Sequence, residues 1–239
     1  MIYVASVSFG KDSLAMLLKI LEEKLPLDEV IFYDTGAEFN CIYKIRDEIV
    51  EKYLKPRGIK FTELKPKIGF FDMFLNKEIK HRDGTTSKGY SWCGGSCRWG
   101  TAYKTSIINK YMKKLGAYKV YVGIALDEPK RIERAIKKGQ LLPLVDYKMT
   151  EQDCLDYCKH HNFSWLEDGV YLYQILDRVS CWCCANKNKK ELKNYYKYLP
   201  NYWFKLKSLQ SRTDRCFKDN KTIFDYEEEF KGDKNDIQS

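Results

Sequence analysis

The sequence predicts an α/β protein with a doubly wound, mostly parallel sheet and a basic helical C-terminal segment. Three observations carry this. Short apolar runs rich in β-branched residues alternate with stretches of helical period, the pattern of strands whose crossover helices cover a parallel sheet. The first run passes directly into a glycine-bearing turn and then a helix. The 239 residues suffice for one large domain, or one domain with an appendage, and for a full core.

Taken in order, residues 2–7 form the first strand, and Leu14, Leu17, Leu18 and Leu21 then recur at helical spacing. Residues 30–33 are a second buried strand ending at Asp34-Thr35-Gly36, and a helix runs to about residue 53 before Pro56 and Gly58 close it. Residues 59–64 alternate as a third strand. The stretch 65–100, rich in Gly, Lys and Ser, reads as long loops around a short helix near 70–77. A helix over 101–115, a fourth strand over 119–124 and a helix over 127–138 follow, the last ended by Gly139. An apolar run at 141–145 precedes a helix opened by Thr150, with Asp153 in the capping-box position. Composition turns basic and aromatic near 185–187, so the expected division is a nucleotide-binding domain over 1–186 and an extension over 187–239 with an acidic tail.

Lys and Arg number 42 against 33 Asp and Glu, a net charge of +9. Residues 187–221 carry +8, the tail from residue 222 carries −4, and the first 186 residues carry +5. The basic segment also holds Tyr195, Tyr196, Tyr198, Tyr202, Trp203 and Phe204. Lysines interleaved with aromatics suit a nucleic acid whose bases stack; the alternative is a solvated basic face over an aromatic face packed inward. At 44% hydrophobic and 31% charged residues, disordered, collagenous and low-complexity classes are excluded. No uncharged stretch approaches the roughly 18 residues of a membrane span, and no basic leader precedes the first apolar run. A cytoplasmic location is therefore expected, where nine cysteines are not a disulfide framework.

Ser8-x-Gly10-Lys11-Asp12-Ser13 lies between the first strand and the first helix. Backbone N–H groups and a helix N-terminus in that setting hold phosphate. Gly10 permits close approach, Lys11 adds charge, and Ser8 and Ser13 offer hydroxyls. Asp12 repels a bare phosphate and so suits a helix cap or Mg²⁺. The spacing is not that of a Walker loop.

This loop resembles the pyrophosphate (PP) loop of the adenine-nucleotide α-hydrolase-like superfamily, and four further segments resemble its phosphoadenylyl-sulfate (PAPS) reductase branch. They are Asp34-Thr35-Gly36-Ala37-Glu38-Phe39; Gly123-Ile124-Ala125-Leu126-Asp127-Glu128-Pro129-Lys130-Arg131; Leu142-Pro143-Leu144-Val145-Asp146 with Thr150-Glu151-Gln152-Asp153; and Arg178-Val179-Ser180-Cys181-Trp182-Cys183-Cys184. The resemblance runs over about 2–186 in the family's order. It implies a Rossmann-like fold and an ATP pyrophosphatase-type enzyme, with ATP and Mg²⁺ as cofactors, that adenylates an acceptor for displacement by sulfur. The catalytic residues would be Lys11, Asp12 and Asp34. Nucleotide would be held by Ser8, Gly10, Lys11, Asp12, Ser13, Asp34, Thr35, Gly36, Glu38, Gly123, Asp127, Glu128 and Arg131. Departures are Ala125 for the reductases' Arg, Pro129 for Ser, Ser180 for Gly, and the absence of their C-terminal cysteine motif; Cys216 is the only late cysteine. A PAPS or adenylyl-sulfate reductase is the rival of the same fold, and a non-catalytic nucleotide-sensing or nucleic-acid-binding module the rival of another class.

Cys93-x-x-x-Cys97 and Cys181-x-x-Cys184 form two close pairs that could converge on Zn²⁺ or an iron–sulfur cluster, with buried free thiols as the alternative. Some relatives hold a [4Fe-4S] cluster on two cysteine pairs, so the resemblance favours that group. Cys154 and Cys158 fall on core positions of a helix, Cys41 reads as packing, and His81 as solvated. Expected partners are an adenine nucleotide, nucleic acid through 187–221 and a sulfur donor protein.

Overall fold

The structure, a computed structural model, describes residues 1–95 and 97–235. Ser96 of the cysteine loop and the end of the acidic tail, 236–239, lie outside the described residues. In chain order the elements are β1 (Ile2–Val7), α1 (Lys11–Glu22), β2 (Glu29–Tyr33), α2 (Asn40–Ile49), β3 (Lys60–Leu64), β4 (Glu78–Lys80), β5 (Thr86–Lys88), α3 (Tyr103–Met112) and β6 (Tyr118–Val122). There follow α4 (Pro129–Lys137), α5 (Pro143–Asp146), α6 (Glu151–His160), β7 (Leu166–Glu167), β8 (Val170–Tyr171), α7 (Leu172–Ile175), α8 (Lys189–Tyr198), α9 (Pro200–Gln210) and α10 (Ile223–Asn235). The chain divides into two compact units. The first comprises Met1–Asp34, Phe39–Lys65 and Ser106–Trp165; the second comprises Thr35–Glu38, Pro66–Thr105 and Leu166–Ser239.

The first unit is the expected parallel sheet, in the order β3-β2-β1-β6. Pairing is parallel throughout, with Val4 opposite Glu29 and Val120, and Ile31 opposite Thr62. β2 is buried along its whole length, which is why it reads as a continuous apolar run instead of an alternating one. Val4, Ile31 and Met112 pack with Ile108 and Tyr111 of α3, while Ile124, Ala135 and Leu142 pack with Ile132 of α4. Cys154 and Cys158 of α6 are fully buried, as their core positions required; burial raises the Cys154 thiol to about 12 and leaves both inert. Cys41 is buried in α2. The apolar run at 141–145 is not a strand: Leu141 makes one parallel bridge to Tyr121, and Pro143 then starts α5 because it has no N–H to give a sheet. Thr150 and Asp153 form the reciprocal capping box, Asp153 Oδ2 accepting from Thr150 N at 2.8 Å.

In the second unit, residues 65–100 hold more structure than loops. A π-helical turn, Asp72–Asn76, is followed by the antiparallel hairpin β4–β5. Gly89, just after the hairpin, has φ +70°, and a Cβ there would lie 2.2 Å from Phe74 O. Only glycine lets the hairpin return this close to the turn before it. Helices α8, α9 and α10 pack around Leu192, Tyr195, Leu199, Tyr202, Trp203 and Phe230, with Tyr196 and Trp203 rings 5.5 Å apart.

Candidate functional site

The sheet order determines where the first unit can bind a ligand. β1 is flanked by β2 on one side and β6 on the other, so the topology reverses beside β1, the place where open α/β sheets form a crevice at their strand ends. The 8–13 loop leaves β1 there. Ser13 Oγ accepts from Ser8 N at 3.1 Å and donates to Gly10 O at 3.1 Å, which curls the loop over the start of α1. No side chain caps α1, whose N-cap is Gly10, the setting in which a helix N-terminus accepts an anion. Phe9 takes φ +58°, a conformation that costs a non-glycine residue about 1–2 kcal/mol. It is held there by a fully buried ring packed 5.3 Å from Phe32, and by Trp165 Nε1, which donates to Phe9 O at 2.8 Å.

Gly123 follows β6 and closes on this loop. A Cβ at Gly123 would lie 2.8 Å from Ser13 Cα and 2.9 Å from both Asp12 O and Ser13 N. The sequence pairs Gly123 with the loop by resemblance alone; here the two backbones touch. Lys11 is buried, and its Nζ donates to Asp12 Oδ1 at 2.9 Å and to Glu151 Oε2 at 2.5 Å. Burial opposes the ammonium charge, but the bonds from Glu151 and Asp12 outweigh it and hold its pKa above the ordinary value. Burial likewise pushes the Asp12 carboxyl up, against the pull of Lys11. Asp127 Oδ1 accepts from Glu151 N at 3.1 Å. Glu128 takes Arg131 Nη1 at 2.5 Å, so the Glu128–Arg131 pair travels together. Asp34, at the end of β2, is buried and accepts from Tyr43 OH at 2.7 Å, with Lys65 Nζ 3.6 Å away.

In the second unit, Thr35 and Glu38 meet Cys181. Thr35 Oγ1 donates to Glu38 Oε1 at 2.8 Å and lies 3.3 Å from Cys181 Sγ. Trp182 N donates to Ala37 O at 2.9 Å, and Gly36, with φ +74°, lets the turn pass under Phe70. Burial, then the Glu38 charge, pushes the Cys181 thiol up. The two cysteine segments are tied by Asn186, whose amide donates to Gly95 O at 2.9 Å and accepts from Gly95 N at 2.7 Å. Gly100 N donates to Cys97 Sγ at 3.3 Å. A hydrogen bond from Cys97 brings the Cys93 thiol down to about 6 against its burial, helped by Arg215 and Arg98, and Cys97 rises correspondingly. Cys183 is core. All nine cysteines are free thiols. Among the described residues no group of three or more His, Cys, Asp and Glu side chains gathers at metal-binding distance. The chemistry of the donor set still suits a thiophilic centre: two thiol pairs on glycine-rich and turn backbone, a backbone N–H aimed at sulfur, and a clamp between the two segments.

The basic segment divides its aromatic residues between core and surface. Tyr195, Tyr202 and Trp203 are buried, and acids of α10 take up lysines: Glu229 pairs with Lys189 and Lys221, and Glu227 with Lys207 at 2.7 Å. Phe204 and Tyr198 stay exposed. Cys216 is exposed. No helix among the described residues is long and apolar enough to cross a membrane.

A family model for the phosphoadenosine phosphosulfate reductase domain matches residues 2–184. The chain belongs to that family. Two uncharacterised proteins of Methanocaldococcus jannaschii are similar to it, at 28% identity over 229 residues and 23% over 215; each match covers 84% of this chain, and 47% and 40% of the relatives. An uncharacterised nin-region protein of Escherichia phage lambda is 28% identical over 211 residues, covering 80% of this chain and 68% of its own. The chain thus spans less than half the length of the two archaeal relatives. A solved U34-tRNA thiolase of Methanococcus maripaludis, with its [4Fe-4S] cluster, is similar at 18% identity and a TM-score of 0.45, covering 96% of this chain and 73% of that one.

In the segments that carry the resemblance, Ala125 and Ser180 stand where the reductase motifs have Arg and Gly. Ala125 is fully buried and its N donates to Glu128 Oε2 at 3.4 Å. Sequence reasoning missed Glu151 as a partner of Lys11, although Thr150-Glu151-Gln152-Asp153 was in view, and it missed Asn186 as the clamp between the cysteine segments.

Proposed function

We propose that the protein binds ATP with Mg²⁺ through the 8–13 loop and adenylates an acceptor, which sulfur then displaces. The observation that carries this is the uncapped first turn of α1 at the switch point, held against Gly123. In this reading Lys11 leaves Glu151 to neutralise the phosphates, and Asp12 and Asp34 hold Mg²⁺. Ser8, Gly10 and Ser13 cradle the pyrophosphate, while Asp127, Glu128 and Arg131 bind the rest of the nucleotide. The work is positioning and charge stabilisation: the acceptor oxygen bonds to the α-phosphorus, the bond to pyrophosphate breaks, and sulfur later displaces AMP.

Cys93, Cys97, Cys181 and Cys184 would hold a [4Fe-4S] cluster or Zn²⁺. When bound, an iron–sulfur cluster supplies a point at which sulfur or electrons are handled. The expected setting is a reducing cytoplasm, with a sulfur donor protein as partner.

Incubation with α-labelled ATP and Mg²⁺, with nucleic-acid acceptors and without, should release pyrophosphate and AMP, and Lys11→Ala should abolish it. ATP bound without turnover, whatever the acceptor, would assign a nucleotide-sensing module instead. Elemental analysis of an anaerobic preparation, with Cys93→Ser and Cys184→Ser as comparisons, distinguishes iron with sulfide from zinc.

A further inference from the structure

Within the second unit, a cleft of about 380 Å³ opens beside the first cysteine pair, lined by Ile79, His81, Ser87, Tyr90, Cys93, Arg98 and Arg215 among others. That volume is at the lower end for ligand clefts, close to what one nucleotide unit needs. Its lining has two guanidinium groups and no carboxylate. Among the described residues neither Arg98 nor Arg215 pairs with an acid, in contrast to Lys189, Lys207 and Lys221 of the basic segment.

The cleft is built, not incidental. Arg215 Nη1 donates to Tyr90 O at 3.1 Å, and Ser91 Oγ lies 2.8 Å from Thr213 Oγ1. Buried Gln210 joins the same two strands of chain: it accepts from Trp92 Nε1 at 3.0 Å and donates to Thr213 O at 2.9 Å and Arg215 O at 3.1 Å. Trp92 and Phe217 rings pack 4.8 Å apart. Opposite, Ile79 and Ser87 are register partners on one face of the β4–β5 hairpin, and His81 Nε2 is 2.9 Å from Ser87 Oγ. The hairpin is exposed and carries Lys80, Arg82 and Lys88 against Glu78 and Asp83. Two arginines without an acid partner among the described residues, with a hydroxyl, an imidazole and a tyrosine ring in the same lining, have the chemistry that takes a phosphate next to a stacking base.

We propose that this cleft binds the phosphodiester backbone of a single-stranded nucleic acid, with phosphates on Arg98 and Arg215 and a base beside Tyr90. The strand then runs past Cys93, and the polyanion contact lies here and not on the lysines of α8. The inference is separate from the adenylation reading, because binding is measured without ATP.

The test is fluorescence anisotropy of the full chain with a labelled oligouridylate of about a dozen nucleotides, titrated between 50 and 200 mM salt. Each phosphate contact on a single strand contributes about 0.7 to the slope of log affinity against log salt. Arg98→Gln should lower the slope by about 0.7, and the double variant with Arg215→Gln by about 1.4. Over that salt range two contacts amount to about a sevenfold loss of affinity, which the double variant should no longer show. Lys190→Gln with Lys197→Gln, on α8, should bind as the wild type does. Melting of each variant confirms that it is folded, and Arg98→Gln alone carries the test if Arg215→Gln melts early. Three results would overturn the proposal: no binding by the wild type at 50 mM salt, an equal or larger slope change in the α8 variant than in the arginine variants, or binding of inorganic phosphate as strong as that of the oligonucleotide.

Discussion

Replacing Gly123 by Ala tests the geometry on which the nucleotide reading stands. The φ of Gly123 is not left-handed, so alanine brings no backbone strain and the effect is steric alone. Its Cβ would sit 2.8 Å from Ser13 Cα and 2.9 Å from Asp12 O and Ser13 N. Carbon atoms pack at about 3.5–4.0 Å, so the first turn of α1 must retreat by roughly 0.7 Å or more. The contacts at risk are those of Ser13 Oγ with Ser8 N and Gly10 O, both already 3.1 Å. Overpacking of this kind costs about 1–3 kcal/mol. In a chain of this size that lowers the melting temperature by roughly 2–4 °C per kcal/mol. ATP affinity should fall about tenfold for each 1.4 kcal/mol lost from the displaced N–H groups. Scanning calorimetry reads the first effect without any nucleotide, and titration calorimetry with ATP and Mg²⁺ reads the second. Gly69→Ala, where a Cβ meets nothing within 4 Å, should be silent in both. An unchanged melting temperature and unchanged ATP binding in Gly123→Ala would refute the reasoning.

Two further outcomes follow from the packing. Glu29 is buried at the start of β2; burial raises its pKa, but bonds from Thr62, Tyr111 (2.6 Å) and Lys60 (3.1 Å) more than offset that and lower it. Its contribution is therefore full above the ordinary glutamate value and is lost as pH falls through the depressed one, so Glu29→Gln should show a flatter loss of stability between about pH 5 and 3 and cost about 1 kcal/mol at pH 7, read by urea unfolding across pH. Asn186→Ala removes both bonds to Gly95, which should cost about 1–3 kcal/mol and speed release of bound metal to a chelator several-fold; equal release rates would separate the clamp from the cysteine site.

The strands, the turn between β1 and α1 and the capping box of α6 were legible because each is a local pattern: burial sets an apolar run, glycine a turn, and Thr150 with Asp153 a helix start. The hairpin β4–β5 was not, since its short strands are polar and exposed and no periodicity marks them. The aromatic segment was legible in composition but ambiguous in role, because stacking surfaces and packing surfaces use the same residues.

The order of segments, the family and the glycine-bearing turn between the first strand and the first helix were determined by the sequence by itself, because each depends on a few adjacent residues of stated type. Only the tertiary structure decided that Lys11 meets Glu151, 140 residues away, that Gly123 leaves no room for a methyl group beside Ser13, and that Arg98 and Arg215 share one cleft over Cys93. Those pairings depend on which strands lie side by side and where the chain reverses, and contact between distant residues leaves no period or spacing to read.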